Sequence, residues 1–110
     1  MTPPQLGELA ENPVGSVQQV LAALADPVRL EMVRRLRNAG SSMPCALLYD
    51  GINKSTATHH FKILREAGLT ERLVVDGHTH QRLRTEQVDA AVPGLLNSVV
   101  GSANREVRSV

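Results

Sequence analysis

The chain has 110 residues, a net charge of +1, one cysteine and only two aromatic residues, Tyr49 and Phe61. That length suits a single domain. One cysteine excludes an intrachain disulfide and fits a reducing compartment, and no stretch approaches the ~20 apolar residues of a membrane span. The scarcity of aromatic rings argues against single-strand and RNA platforms, which stack bases on such rings. Charge is unevenly spread. Residues 1–26 carry only acids (Glu8, Glu11, Asp26). Residues 27–40 hold Arg29, Arg34, Arg35 and Arg37 against Glu31. Residues 54–84 hold Lys54, Lys62, Arg65, Arg72, Arg82 and Arg84 against Glu66, Glu71 and Asp76. A basic middle between neutral or acidic ends suits a polyanionic partner, although solvated helix faces would look the same.

Residues 1–15, with Pro3, Pro4, Pro13 and two glycines, read as a loose arm on which Leu6 and Leu9 could anchor a turn. It has neither the basic start nor the apolar core of a signal peptide, so a soluble cytoplasmic protein is expected. From Ser16, a candidate N-cap, Val17, Val20, Leu21 and Leu24 recur at helical spacing. Asp26-Pro27 then restarts a helix over residues 27–38, with Leu30, Val33 and Leu36 inward and Gly40 as its stop. A short helix is expected over residues 45–49, closed by Asp50-Gly51.

The most informative segment is residues 53–69, N-K-S-T-A-T-H-H-F-K-I-L-R-E-A-G-L. At 100° per residue, Ala57, His60, Phe61, Ile63, Leu64 and Ala67 share one half of a helix. Lys54, Ser55, Thr58, His59, Lys62, Arg65 and Glu66 share the other. An outer face that begins with short hydroxyls beside a lysine suits a DNA major groove. Lys54, Ser55, Thr58, His59 and Lys62 are the contact candidates, with Thr56 in the first turn. His60 lies on the apolar arc and is expected to pack.

Beyond Gly68, residues 69–75 and 78–84 predict two strands around Asp76-Gly77, a strong hairpin signal. A two-residue turn would place Val75 opposite His78 and Glu71 opposite Arg82, an oppositely charged pair. Arg72, Arg82 and the tip residues Gly77, His78 and Thr79 are candidates for backbone or minor-groove contact. Thr85 is a candidate cap for a last helical region that Pro93 should kink or break. Around and past it, Val92, Leu95, Leu96, Val99, Val100 and Ala103 make an apolar stripe. The tail over residues 105–110 is expected to fray.

A-L-A-D-P-V-R-L-E-M-V-R-R-L (23–36), K-S-T-A-T-H-H-F-K-I-L-R-E-A-G-L (54–69) and the D-G hairpin together resemble the bacterial ArsR/SmtB family of transcriptional regulators. The resemblance implies a mostly α winged helix-turn-helix, in the order α-α-α-α-β-β-α, over residues 16–104. It also implies a homodimer built on the first and last helices that binds operator DNA, most simply as an effector-responsive repressor in a bacterial cytoplasm. Val17, Val20, Leu21, Leu24, Leu95, Leu96, Val99 and Val100 are the expected dimer residues.

The family's common metal sensors carry Cys-x-Cys before the turn, where this chain reads P-C-A-L-L with the single Cys45, or histidines in the last helix, where it has none. His78 and His80 share a strand face and are weak candidates for nickel or zinc, so no cofactor is assured. Cys45 reads as a small buried hydrophobe. No Ser/His/Asp order, paired acids or Gly-rich phosphate loop suggests an enzyme. The rival reading is a winged helix that binds a protein partner and no DNA.

Overall fold

The computed structural model describes residues 12–108. Residues 1–11 of the expected arm, Leu6 and Leu9 among them, lie outside the described residues, as do residues 109–110. Helix α1 (Val17–Leu24) opens on Ser16, whose hydroxyl accepts the Gln19 N–H at 3.1 Å. Helix α2 (Pro27–Ala39) opens on Asp26, whose carboxylate accepts the N–H groups of Val28 and Arg29 at 2.8 and 3.1 Å. Burial works against that charge, but the two N–H donors and the Arg29 guanidinium outweigh it and hold the Asp26 pKa below its usual value. Gly40, at φ +70°, ends α2 in the left-handed conformation that glycine adopts without strain.

The next segment departs from expectation. A two-residue strand, β1 (Met43–Pro44), precedes a single 3-10 turn (Cys45–Leu47), and no helix reaches Tyr49. Pro44 has no N–H to give to a helix, and its extended backbone (ψ 137°) suits a sheet edge. Leu48, fully buried, then pins the chain against the core. Helix α3 (Lys54–Glu66) follows, with the Asn53 side chain accepting the Thr56 N–H at 2.8 Å.

Strands β2 (Thr70–Val75) and β3 (His78–Leu83) form the hairpin in the expected register, Val75 opposite His78 and Glu71 opposite Arg82. Asp76 and Gly77 both take positive φ, 50° and 78°, as a two-residue turn with the right twist requires. Strand β1 adds to the other side of β3, giving the order β1-β3-β2. Pro93 does divide the C-terminal helical region, into α4 (Thr85–Ala91) and α5 (Leu95–Arg108). Thr85 is the first residue of α4 and not its cap; Arg84 holds the cap position without a side-chain bond to the helix. Helix α5 continues four residues past Asn104.

One core unites these elements. Val20 and Leu24 from α1, Met32, Val33 and Leu36 from α2, Phe61 and Leu64 from α3, and Leu96 and Val100 from α5 meet in a single buried cluster. The two sequence stripes assigned to dimerisation are therefore partly consumed inside the protomer. Val20, Leu24, Leu96 and Val100 are core residues, because a chain this small must draw on both ends to bury enough apolar area. Val17 and Leu21 remain 55% and 48% exposed, and Leu95 and Val99 are half-buried.

The four arginines of α2 are structural. Arg29 donates to the Ala23 carbonyl at 2.7 Å and to His60 Nδ1 at 3.1 Å. Arg34 and Arg35 both bond Glu31, and Arg35 reaches on to the Leu47 carbonyl and to Asp50 at 2.6 Å. Arg34 also reaches Asn104 of α5, and Arg37 reaches Asn97. The Arg34 bond, helped by Arg35 against the cost of burial, lowers the Glu31 pKa from 4.5 to about 2. Its stabilisation is complete above the unfolded value and disappears as pH falls through the folded one. After solvent screening of a carboxylate one-third exposed, Glu31→Gln should cost about 1–2 kcal/mol at neutral pH and flatten the acid limb of stability. Urea midpoints measured from neutral pH down to acid would test this.

Candidate nucleic-acid interface

Helix α3 is held by its inner face and by both ends. Ala57, Phe61 and Leu64 are buried, and Phe61 meets Tyr49 edge-on with ring centroids 6.2 Å apart. His60, half-buried, faces α2. A guanidinium is always a donor, so His60 Nδ1 accepts from Arg29 and its proton sits on Nε2. This is the packing role expected from its place on the apolar arc.

The last carbonyls of α3 have no partner within the helix. They are taken by the chain that leads into α1 and by its first turn: Asn12 Nδ2 donates to Arg65 O, Gly15 N to Ala67 O and Gln19 Nε2 to Glu66 O, at 2.9, 3.0 and 3.2 Å. That close crossing explains Gly68, which lies at φ +80°. A Cβ there would stand 2.4 Å from the Pro13 carbonyl oxygen and 2.6 Å from Val14 Cα, both backbone. Gly68→Ala should therefore destabilise by about 2–4 kcal/mol, combining left-handed strain with overpacking, as read by urea denaturation.

Fixed in this way, α3 presents Lys54, Ser55, Thr56, Thr58, His59 and Lys62 to solvent, all exposed. The hydroxyls are less free than their sequence suggests. Ser55 Oγ donates to Asn53 Oδ1 at 3.0 Å, and Thr58 Oγ1 donates back to the Lys54 carbonyl at 2.8 Å. Both keep acceptor lone pairs outward, and Thr58 also offers its methyl, which suits a thymine methyl. His59 has ring donor and acceptor capacity at the exposed surface.

The hairpin stands beside this helix, and a groove of about 1000 Å³ runs between them. Lys54, Thr58 and Arg65 line it from α3, Arg72 and residues 77–81 from the hairpin, and Cys45 to Leu47 from the preceding turn. Arg65 joins Arg72 and Lys54 here, a pairing that helical projection alone does not reveal because it depends on where the hairpin folds. Arg82 behaves differently. Its Nε donates to Glu71 Oε2 at 2.6 Å, the cross-strand pair expected from the register, so its charge is partly neutralised. His78 is exposed and Thr79 half-buried at the hairpin tip. His80 is also half-buried, and its Nδ1 is enclosed. Among the described residues no group of three or more His, Cys, Asp or Glu side chains is arranged to hold a metal ion, so His78 and His80 gain no third ligand within the protomer.

No helix among the described residues is long and apolar enough to cross a membrane. A family profile described as a helix-turn-helix domain matches residues 24–72, from the end of α1 into β2. The uncharacterized HTH-type transcriptional regulator YceK of Bacillus subtilis (strain 168) is 35% identical over 83 residues, which span 74% of this chain and 83% of that protein. Several solved structures share the fold. The transcriptional repressor BigR from Xylella fastidiosa superposes with a TM-score of 0.57 at 23% identity, covering 87% of this chain and 86% of its own. An ArsR-like transcriptional regulator from Rhodococcus sp. RHA1 gives 0.58 at 20% identity, covering 84% and 86%.

Proposed function

We propose that this chain, which belongs to the HTH-type transcriptional regulators and has the winged fold of the ArsR-like proteins, binds duplex DNA as a homodimer and represses transcription in the cytoplasm. The observation that carries the reading is the outer face of α3, where six polar or basic side chains stand exposed on a helix locked from behind. Two such helices would enter successive major grooves about 34 Å apart, on a near-palindromic site. Lys54 and Lys62 would neutralise phosphate or reach guanine, while Thr58 and His59 would read base edges, with Ser55 and Thr56 beside them. Arg72, His78 and Thr79 would track the adjoining backbone or minor groove, with Arg82 contributing less because of Glu71.

Val17 and Leu21 of α1, with Leu95 and Val99 of α5, would supply the apolar part of the dimer contact. Relatives of this kind are regulators, and the exposed α3 face calls for binding chemistry and no catalytic step. An effector need not be a metal, since the histidine pair has only two imidazoles to offer.

The test uses a fluorescent duplex selected by the protein from a random-sequence library. Affinity should fall steeply with added salt as bound cations are released. Lys62→Ala should weaken every duplex alike and reduce the salt slope by about one unit. His59→Ala should instead narrow the gap between selected and random duplexes by about 1–3 kcal/mol. Wild-type affinity and selectivity in both variants would favour a winged helix that docks on protein.

A further inference from the structure

We infer that Cys45 is a peroxide-modification site whose sulfenic acid is received by Gln81, and that the modification reaches the DNA-binding groove. Gln81 is only 1% exposed, on the central strand of the sheet. Its amide Nε2 donates to Cys45 Sγ at 3.8 Å, while its carbonyl Oε1 is enclosed with no hydrogen-bond partner. A thiol used merely as a small apolar filler needs neither group. An unpaired buried carbonyl costs about 1–3 kcal/mol, a cost that the reduced site leaves standing.

Oxidation supplies the missing donor. The Cys45 thiol gives up its proton, and its sulfur attacks one oxygen of hydrogen peroxide, forming an S–O bond as the O–O bond breaks. The leaving hydroxide takes up the thiol proton and becomes water; sulfur has lost two electrons and the peroxide has gained them. The new S–O–H then donates to Gln81 Oε1, while Nε2 keeps its bond to the sulfur or its oxygen. Cys45 is partly exposed and lines the groove shared by α3 and the hairpin, so a small peroxide has a route to it. No second cysteine exists in the sequence, so the sulfenic acid has no intrachain disulfide to collapse into. External thiols would return it to the reduced form. The added oxygen would lie between the turn that leads into α3 and strand β3, both of which line the groove.

The chemistry is independent of DNA; only its consequence for affinity rests on the function proposed above. Reduced full-length protein is treated with a small excess of hydrogen peroxide, and sulfenic acid is trapped with dimedone and located by peptide mass. A dimedone adduct on Cys45 is expected, still trappable after catalase has removed the peroxide. Gln81→Met keeps the volume but removes both amide groups, and should lower the trapped fraction about tenfold. Iodoacetamide should alkylate that variant at the wild-type rate, showing that the thiol is still reached in a folded protein. No adduct, passage straight to sulfinic acid, or equal trapping in Gln81→Met would overturn the assignment. With the library-selected duplex, oxidised protein should bind several-fold more weakly, recover with dithiothreitol, and show no change in Cys45→Ser. Trapping on Cys45 without any change in affinity would overturn the coupling to the groove, whereas no binding even by reduced protein would instead refute the DNA reading.

Discussion

Leu21→Glu is expected to leave a folded monomer that binds the selected duplex about 100-fold or more weakly than wild type. Leu21 faces away from its own core, which takes Val20, Ala23 and Leu24 from the same helix. The substitution therefore spares the protomer. In a two-fold interface it appears twice, and each carboxylate meets apolar surface or its own copy. Losing the dimer loses the second half-site, and the gain from tethering two binding events is about 10²–10⁴ in affinity. Sedimentation velocity reads the first effect and anisotropy at constant salt the second. A dimer that survives Leu21→Glu would move the interface off α1.

Leu64→Ala should lower folding stability by about 2–5 kcal/mol, a large share of the roughly 5–15 kcal/mol that holds a domain. Leu64 is fully enclosed on the inner face of α3, with Leu48 and Leu69 in the same cluster. Removing it costs both the transfer of its methyl groups and the cavity left behind. None of the six candidate contact side chains on α3 changes, so the fraction that stays folded should bind DNA with undiminished affinity. Urea denaturation with an unchanged m-value measures the stability loss, and anisotropy in the cold measures the affinity. A loss below about 1 kcal/mol would mean that α3 is not seated as described. Paired with His59→Ala, this variant separates the two faces of one helix: the inner face sets stability and the outer face sets selectivity.

Local chemistry was legible wherever a short run of residues decides the outcome. Ser16, Asp26 and Asn53 cap helices because their side chains reach N–H groups two or three residues away. Asp76-Gly77 turns the hairpin because the two residues tolerate positive φ, and the register then pairs Glu71 with Arg82. The division of α3 into two faces follows from helical geometry, which is why His60 could be assigned inward and His59 outward. Strand β1 was not legible, since two residues containing a proline carry no alternation and acquire meaning only when β3 lies beside them.

Tertiary structure decided everything that depends on distant residues meeting. Periodicity marks Val17, Val20, Leu21 and Leu24 alike as apolar, yet only the assembled core shows that two are buried and two are left outside. The arginines of α2 look like a basic patch in one dimension; in three, Glu31, Asp50, Asn97, Asn104 and His60 claim them. Gly68 ends a helix by local rule, but the crossing of Pro13 and Val14 makes it irreplaceable. Cys45 reads as a lone small residue until Gln81, 36 positions away, brings an amide to its sulfur. The sequence by itself determined the long helices, the hairpin, the caps at Ser16, Asp26 and Asn53 and the division of α3 into two faces, because those rest on contacts within a few residues. The fold decided which apolar side chains remain for a partner, which cations remain for phosphate, and what surrounds the thiol, because burial and charge pairing are properties of the assembled chain.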